Sequence, residues 1–377
     1  MDEWREYQLK DVCSRLSSGK NIKSREVLDK GKYPVYGGNG LRGYSDKANF
    51  SGECAIIGRQ GAYCGNVRYF SGTAYMTEHA IVTVANENNS TRFLAYLLSM
   101  MHLGRLSGQS AQPGLSVKTL GQQIVKLPSY KLQNQIASVL TILDDKIEIN
   151  NQINKNLLEQ AQSIYSAWFE QFLLSDGIMP SNWHIGTIRD IADIKTNSFN
   201  PQRNPGVMLE HYSIPAFDEQ LFPVFELSNN VKSNKYILTN NSVLASKLNP
   251  DTKRVWRPMC LSKNAVCSTE FIVFEAKNPE HKDFLFSIID SQPFSDWMCA
   301  HTTGSTNSRQ RTTPSTTLDF KIAVAPDDVV DEFCSTVAPM YDLISQNVLE
   351  NQSLSSLRDQ LLPKLMTGEI DVSDIDP

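Results

Sequence analysis

Side chains that can read nucleic-acid bases occur in loops of two separate segments of the chain. Arg59 and Gln60 directly follow the apolar run "AIIG", and Lys247 follows the similar run "VLAS". Arginine and lysine can pair with O6 and N7 of guanine, and asparagine or glutamine with N6 and N7 of adenine. An isolated loop of this kind is usually only solvated, but loops that match between two segments favour base readout.

Two further loops carry the same chemistry at matching places. The loop "SGQSAQPGLS" (107–116) lies about 20 residues before Pro128, and "TGSTNSRQRTT" (303–313) lies at a similar distance before Pro326. Serine, threonine and backbone amides in such loops can position phosphates. The side chains that we predict to contact nucleic acid are Asn39, Arg42, Arg59, Gln60, Gln109, Ser110, Gln112, Lys247, Lys253, Arg254, Ser305, Asn307, Arg309 and Arg311.

The sequence carries no signature of a catalytic site. It has no phosphate-binding G-x-x-x-x-G-K-[ST], no H-E-x-x-H and no G-x-S-x-G. The six histidines are scattered, and we interpret each of them as structural. The seven cysteines include no C-x-x-C pair, which predicts reduced thiols in a cytoplasmic protein without a zinc site or a disulfide framework. We therefore expect no enzymatic activity, no metal and no cofactor on this chain.

The segments that carry the loops belong to an internal repeat. The stretch "WREYQLKDV" from Trp4 matches "WHIGTIRDI" from Trp183 at an offset of 179, and "IVKLP" (124–128) matches "IAVAP" (322–326) at an offset of 198. A long helical pattern follows each proline, and these two patterns match at an offset of 197. Because a repeat determines the whole fold, we predict a duplicated unit in which a globular block is followed by a helix.

Each helical pattern has an apolar seam that two asparagines interrupt. Apolar residues recur at intervals of three and four in 133–174 and again in about 327–367. Helices of this length need a partner helix, and polar seam residues fix the register at a cost in stability. We therefore predict an antiparallel coiled coil whose asparagines hydrogen-bond across the pair; the alternative is a solvated stretch where the helices splay or kink. The interrupting residues are Asn150, Asn154, Asn347 and Asn351.

The pattern predicts an α+β fold with two mixed α/β domains and two long helices. Both blocks show short strands between glycine turns, and each contains a predicted helix, at "STRFLAYLLSMMHLGRL" and at "HKDFLFSIIDSQPFSDWM". The helices are expected to separate the domains and to relate them by a pseudo-two-fold repeat. The predicted segments are 1–131 for the first domain, 132–176 for the first spacer helix, 177–325 for the second domain, and 326–377 for the second spacer helix and tail.

Charge alternates between these four segments. The first carries 17 basic and 10 acidic residues, a net +7, and the others carry net charges of −4, +1 and −9. A basic domain suits phosphates, whereas acidic helices suit protein partners. No run approaches the ~18 apolar residues of a membrane span, and the polar, acidic start "MDEWREYQLKDV" is not expected to be a signal peptide.

The sequence resembles the DNA-specificity subunit of Type I restriction-modification systems. The resemblance is carried by "KLPSYKLQNQIASVLTILDDKIEINNQINKNLLEQAQSIYSAWFEQF" in the first spacer and by "SLRDQLLPKLMTGEI" in the second. In the first domain, "PVYGGNGLRGY", "AIIGRQGAYCGNV" and "SGQSAQPGLS" look like motifs of that family. The second domain, from about 182 to 325, matches less well.

The resemblance implies that DNA recognition and methylation are carried out by different subunits. Each block would be a target-recognition domain that reads one half of a split DNA site through the major groove, and the coiled coil would set the gap between the halves. Two methyltransferase subunits, which carry the S-adenosylmethionine, would dock on the helices, and restriction subunits could join them. The chain itself would be non-catalytic and would not contact a membrane.

Two other functions compete with this interpretation. A fused methyltransferase would need a catalytic N-P-P-[YF] loop, and the sequence contains none. A degenerate duplicated scaffold would bind protein partners without DNA readout, and its recognition loops would then be dispensable.

Overall fold

The chain folds as two compact units, which the computed structural model describes over residues 4–107, 114–303 and 310–373. Unit 1 comprises residues 1–146 and 354–377, and unit 2 comprises residues 147–353. Each unit therefore contains one globular block together with a segment of each long helix. Within the described part of the chain, no helix is long and apolar enough to cross a membrane.

Unit 1 contains a six-stranded sheet with the order β2-β7-β5-β6-β3-β4, and a separate antiparallel pair, β1-β8, closes the block. Its elements are β1 (Arg5–Gln8), β2 (Cys13–Ser18), β3 (Tyr33–Gly37), β4 (Gly40–Ser45), β5 (Phe50–Gly58), β6 (Val67–Met76), β7 (Ala80–Ala85), α1 (Thr91–Met100), α2 (Val117–Gly121), β8 (Ile124–Leu127) and the first part of the long helix α3 (Tyr130–Tyr165).

Both faces of the central strands of unit 1 are buried, which explains their continuous apolar runs. Ile57 and Ile81 lie on the face that packs with Phe93 of α1, and Ile56 and Val82 belong to a second cluster on the other face. Helix α1 begins after Ser90, whose hydroxyl accepts a hydrogen bond from the backbone N–H of Phe93 and so caps the first turn. This packing fixes the ends of β5 and β6.

Unit 2 contains two sheets, with the orders β10-β18-β15-β16 and β11-β14-β17-β12-β13, and the pair β9-β21. Its elements are β9 (His184–Thr187), α4 (Ile188–Ile191), β10 (Ala192–Lys195), β11 (Ser198–Phe199), β12 (Met208–Tyr212), α5 (Ile214–Gln220), β13 (Val224–Leu227), β14 (Lys235–Ile237), β15 (Ser242–Ser246), β16 (Val255–Trp256), β17 (Ala265–Ser268), β18 (Phe271–Ala276), α6 (Lys282–Ile289), α7 (Gln292–Ala300), β19 (Thr302–Thr303), β20 (Arg311–Thr312), α8 (Pro314–Thr317), β21 (Lys321–Val324) and the first part of the long helix α9 (Asp327–Met366).

The two blocks share part of their strand topology, although unit 1 has one sheet where unit 2 has two. The path β2-β7-β5 in unit 1 corresponds to β10-β18-β15 in unit 2, and the parallel pair β3-β6 corresponds to the parallel pair β12-β17. Strand β1 pairs with β8 as β9 pairs with β21. Gln8 faces Ile124 in the first of these pairs, and Thr187 faces Lys321 in the second. Strands β8 and β21 therefore correspond at an offset of 197, one less than the sequence match indicated.

Three predicted helices have different bounds in the structure. The first block's helix stops at Met100, because His102 adopts a left-handed conformation (φ 47°) before a short 3-10 turn. The second block's helix is two helices, α6 and α7, because Ser291 caps a new start with Pro293 in its first turn. Helix α3 ends at Tyr165 and continues only as a π-helical turn, Ser166–Glu170.

The four seam asparagines form two hydrogen-bonded pairs in unit 2. Nδ2 of Asn150 donates to Oδ1 of Asn351 over 2.9 Å, and Nδ2 of Asn347 donates to Oδ1 of Asn154 over 2.8 Å. The repeat offset of 197 maps the first bond onto the second, so the pair has the pseudo-two-fold symmetry that the sequence predicts. Asn150 is completely buried and also donates to Oε2 of Glu350 over 2.7 Å. Since residue numbers rise on α3 as they fall on α9, the two helix segments are antiparallel.

We expect Asn150→Ala to lower the free energy of unfolding by about 1–3 kcal/mol, because the Glu350 carboxylate and Asn351 would lose a buried donor. The matched control is Asn156→Ala on the exposed face of the same helix, which makes the same change in helix propensity. Urea unfolding of both variants measures the difference. Equal stabilities of the two variants would show that this polar layer does not contribute to the helix pairing.

Candidate nucleic-acid interface

Asn39, Arg59 and Gln60 lie where the β3-β4 hairpin approaches the end of β5. Gly38 lies in the hairpin turn, and a Cβ atom at this position would lie 2.9 Å from the His79 carbonyl oxygen and 3.5 Å from the Arg59 backbone nitrogen. Only glycine allows this close approach. Asn39 is therefore held at the exposed tip of the turn, beside the segment that carries Arg59 and Gln60.

Backbone bonds attach the second predicted loop to the same place. The Leu115 N–H donates to the Arg59 carbonyl over 2.8 Å, and Gln60 forms an isolated bridge with Gly114. Oε1 of Gln60 lies 3.1 Å from Nδ1 of His79, and Nη1 of Arg59 reaches the carbonyl of Glu78 at 3.4 Å. The end of the 107–116 loop thus lies beside two of the predicted base-reading side chains.

The same arrangement recurs in unit 2. The Thr312 N–H donates to the Lys247 carbonyl over 3.0 Å, and Leu248 forms a bridge with Arg311. Lys247 therefore occupies the position of Arg59, at the end of β15 as Arg59 is at the end of β5. The end of the 303–313 loop lies beside it, as the end of the 107–116 loop lies beside Arg59.

The basic side chains differ between the units in their electrostatic partners. In unit 2, Lys253 pairs with Asp290 at 2.7 Å, Arg254 forms a two-bond pair with Asp218, and Arg311 forms one with Glu270. In unit 1, Arg42 and Arg59 form no ion pair with any described residue. Carboxylates thus already neutralise much of the positive charge at the candidate surface of unit 2.

Several predicted contact residues lie outside the described residues. They are Gln109, Ser110, Gln112, Ser305, Asn307 and Arg309. The roles of the other predicted contact residues in binding DNA stay predictions.

A residue that sequence reasoning missed lies beside the predicted ones. Arg68 of β6 is exposed, and its guanidinium carbon would lie 3.2 Å from a Cβ atom placed on Gly40. Its charge partly opposes the effect of burial, which raises the pKa of Tyr36. The sequence shows no sign of this contact, since Arg68 lies in an ordinary strand pattern. Its pairing with Ile56 near the end of β5 places it where the hairpin approaches.

Two buried charged groups in unit 2 hydrogen-bond to the backbone of its globular block. Glu210 is fully buried and accepts hydrogen bonds from the backbone N–H groups of Leu261 and Ser262 at 2.9 and 2.6 Å. Burial lowers the pKa of Lys282 to about 8, and its ammonium donates to two backbone carbonyls. Among the described residues, no group of three His, Cys, Asp or Glu side chains could hold a metal ion.

Comparisons with known proteins agree with this architecture. The family model described as "Type I restriction modification DNA specificity domain" matches residues 1–159. The Type I restriction enzyme EcoprrI specificity subunit of Escherichia coli is 36% identical over 134 residues, which cover 34% of this chain and 33% of that subunit. The MjaIX specificity subunit of Methanocaldococcus jannaschii is 25% identical over 294 residues, or 73% of this chain and 67% of that subunit.

A solved structure shares the fold over almost the whole chain. The crystal structure of the Type-I restriction-modification system S subunit from M. genitalium aligns with a TM-score of 0.59 at 16% identity, covering 97% of this chain and 96% of that one. The predicted fold class, two mixed α/β domains with a pair of long antiparallel helices, is confirmed.

Proposed function

We propose that the chain is a DNA-specificity subunit of the Type I restriction-modification kind and that it directs a methyltransferase complex to a split DNA site. Each recognition block would read one half of the site. The chain would bind DNA without catalysing a reaction, and the bound partner subunits would perform the methylation.

The observation that carries this proposal is the repeated loop attachment. In both units, a backbone N–H at the end of the second predicted loop donates to the carbonyl of the basic residue that follows the central strand, Arg59 or Lys247. Packing of the hydrophobic core does not by itself require a basic side chain beside a polar loop at the same place in both units. Major-groove readout does require donors of this kind on a rigid support.

We infer the partners from the catalytic methyltransferase loop that the sequence lacks and from the acidic charge of the long helices. The catalytic loop of an adenine methyltransferase is absent from the sequence, so S-adenosylmethionine would be held by separate methyltransferase subunits. Two such subunits, one for each copy of the repeat, would dock on the acidic long helices. Restriction subunits would join this complex where the system cleaves DNA.

Arg59→Ala and Lys247→Ala test the proposal against the protein-binding scaffold. If each side chain contacts a base, each variant should lose about 1–3 kcal/mol of discrimination, roughly 5- to 150-fold, at a different half of the site. The control is Lys232→Ala, an exposed residue outside the long helices and outside the predicted contact residues, which should leave methylation unchanged. The measurement is the methylation rate of DNA sites altered in one half. If both loop variants match the control, the scaffold function is favoured.

A further inference from the structure

Unit 1 contains a cleft beside the predicted base-reading turn that no prediction from the sequence identified. It has a volume of about 530 Å³ and lies between the turn joining β5 to β6 and the 3-10 turn Leu103–Leu106. Its polar side chains can each donate a hydrogen bond, and its lining contains no aspartate or glutamate. The side chains relevant to binding are Asn66, Arg68, Ser99, His102 and Arg105.

The walls of the cleft are held together by a close backbone contact. A Cβ atom at Gly65 would lie 2.1 Å from the backbone nitrogen of Gly104, and Gly65 has φ +85°, so only glycine fits here. The Gly65 N–H also donates to the Gly58 carbonyl over 2.8 Å, which connects this wall to the end of β5. The cleft is therefore part of the same rigid support as Arg59.

Arg68 and Arg105 stand on opposite walls without a carboxylate partner. Both are exposed, and neither forms an ion pair with any residue that the structure describes. Arg68 also lies against Gly40 of the hairpin turn, so the basic surface continues from the cleft to the turn that carries Asn39. Two unpaired guanidinium groups with neutral donors between them suit an anion with several oxygens.

We propose that this cleft binds the phosphate backbone of the DNA strand whose bases face Asn39 and Arg59, with Arg68 and Arg105 as the two phosphate contacts. This inference rests on the proposed function, because it assumes that unit 1 binds DNA. Contacts to phosphate position a protein on the duplex without reading its sequence. Arg68 and Arg105 are accordingly positioning residues rather than base readers.

Among the described residues of unit 2, the arginines near the recognition loops already have carboxylate partners. Arg257, which follows β16, pairs with Asp283 at 2.7 Å and with Asp342 at 3.4 Å, and Arg254 pairs with Asp218. These guanidinium groups already have anionic partners within their own unit. We therefore expect the two arginines of the cleft to contribute more phosphate affinity than these paired arginines of unit 2.

The test is the salt dependence of DNA binding by the methyltransferase complex built on the full chain. Each lost phosphate contact should reduce the slope of log K against log salt by about 0.9, so Arg68→Ala with Arg105→Ala should reduce it by about 1.8. Affinity for specific and non-specific DNA should fall in parallel. The Arg68→Lys, Arg105→Lys variant should retain the slope, since the charges remain.

The control is Arg189→Ala, which removes one positive charge, from an arginine that Asp319 pairs at 2.7 Å; its slope should stay unchanged. An unchanged slope in the double alanine variant, with specific binding by the wild type, would overturn the cleft assignment alone. Loss of affinity for the cognate site only would also overturn it, by indicating base readout. A wild-type complex without any specific DNA site would instead contradict the proposed function.

Discussion

Exchanging residues 1–131 for the corresponding block of a specificity subunit that reads another sequence should change one half of the methylated site and leave the other half unaltered. The physical reason is that unit 1 builds its candidate interface from its own elements. The hairpin turn, the end of β5 and the attachment of Leu115 to Arg59 all lie within this block. None of these contacts needs a residue of 177–325.

The exchanged block must still fit the helix segments of unit 1. Leu365 and Met366 of α9 belong to the same core as Leu9 and Phe93, and Trp4 lies against Gly368. The incoming block should therefore keep an apolar residue at the positions of Leu9 and Phe93 and a tryptophan at position 4. A hybrid without these residues is expected to misfold, and its loss of methylation would then not report on specificity.

Methylation mapping of the hybrid and of the reciprocal exchange of residues 177–325 measures the outcome. The reciprocal exchange should alter the opposite half of the site, so each hybrid is the control for the other. A change in both halves after either exchange would contradict the assignment of one reader to each unit.

Phe169→Ala should destabilise unit 2 by about 3–5 kcal/mol, the cost of removing a large buried aromatic ring. Phe169 is 4% exposed and its ring centroid lies 4.7 Å from that of Phe284, 5.2 Å from that of Phe333 and 5.5 Å from that of Trp183. It therefore joins the π-helical end of α3, helix α6 and the start of α9. Removing it leaves a cavity where three elements meet.

The matched control is Phe225→Ala in β13, which removes the same ring from a position that is 46% exposed. Hydrogen exchange over α6 and residues 327–344 reports on unit 2 itself, which matters because two units need not unfold in one step. We expect protection to fall in Phe169→Ala and to stay near wild type in Phe225→Ala. Equal protection in the two variants would show that the aromatic cluster does not hold the helices to the recognition block.

The repeat made much of the fold predictable from the sequence. Two copies of one pattern gave the strand-rich blocks, the long helices and the asparagine pairs, because a seam position that is polar in both copies indicates a shared contact. The end of α3 could not be predicted in this way. The sequence has no glycine or proline between 133 and 174, yet the helix stops at Tyr165, and Phe172 takes a left-handed conformation (φ 53°) beside Trp183.

The electrostatics of the candidate site depended on contacts between distant residues. Lys253 and Arg254 look like free cations in the sequence, but Asp290 and Asp218, each more than 30 residues away, pair with them. Arg68 lies in an ordinary strand pattern, and only the folded structure shows that it lies against Gly40 of the hairpin, through its pairing near the end of β5. Residue type and spacing identified the loops, whereas the folded arrangement determined which charges remain unpaired.

The most direct test of the central claim is a map of DNA methylation in a methylation-free host. The host would express the methyltransferase subunits of this system with and without the chain. We predict methylation of adenine in a split motif only when the chain is present. Methylation that is the same with and without a folded, expressed chain would contradict its role as the specificity subunit.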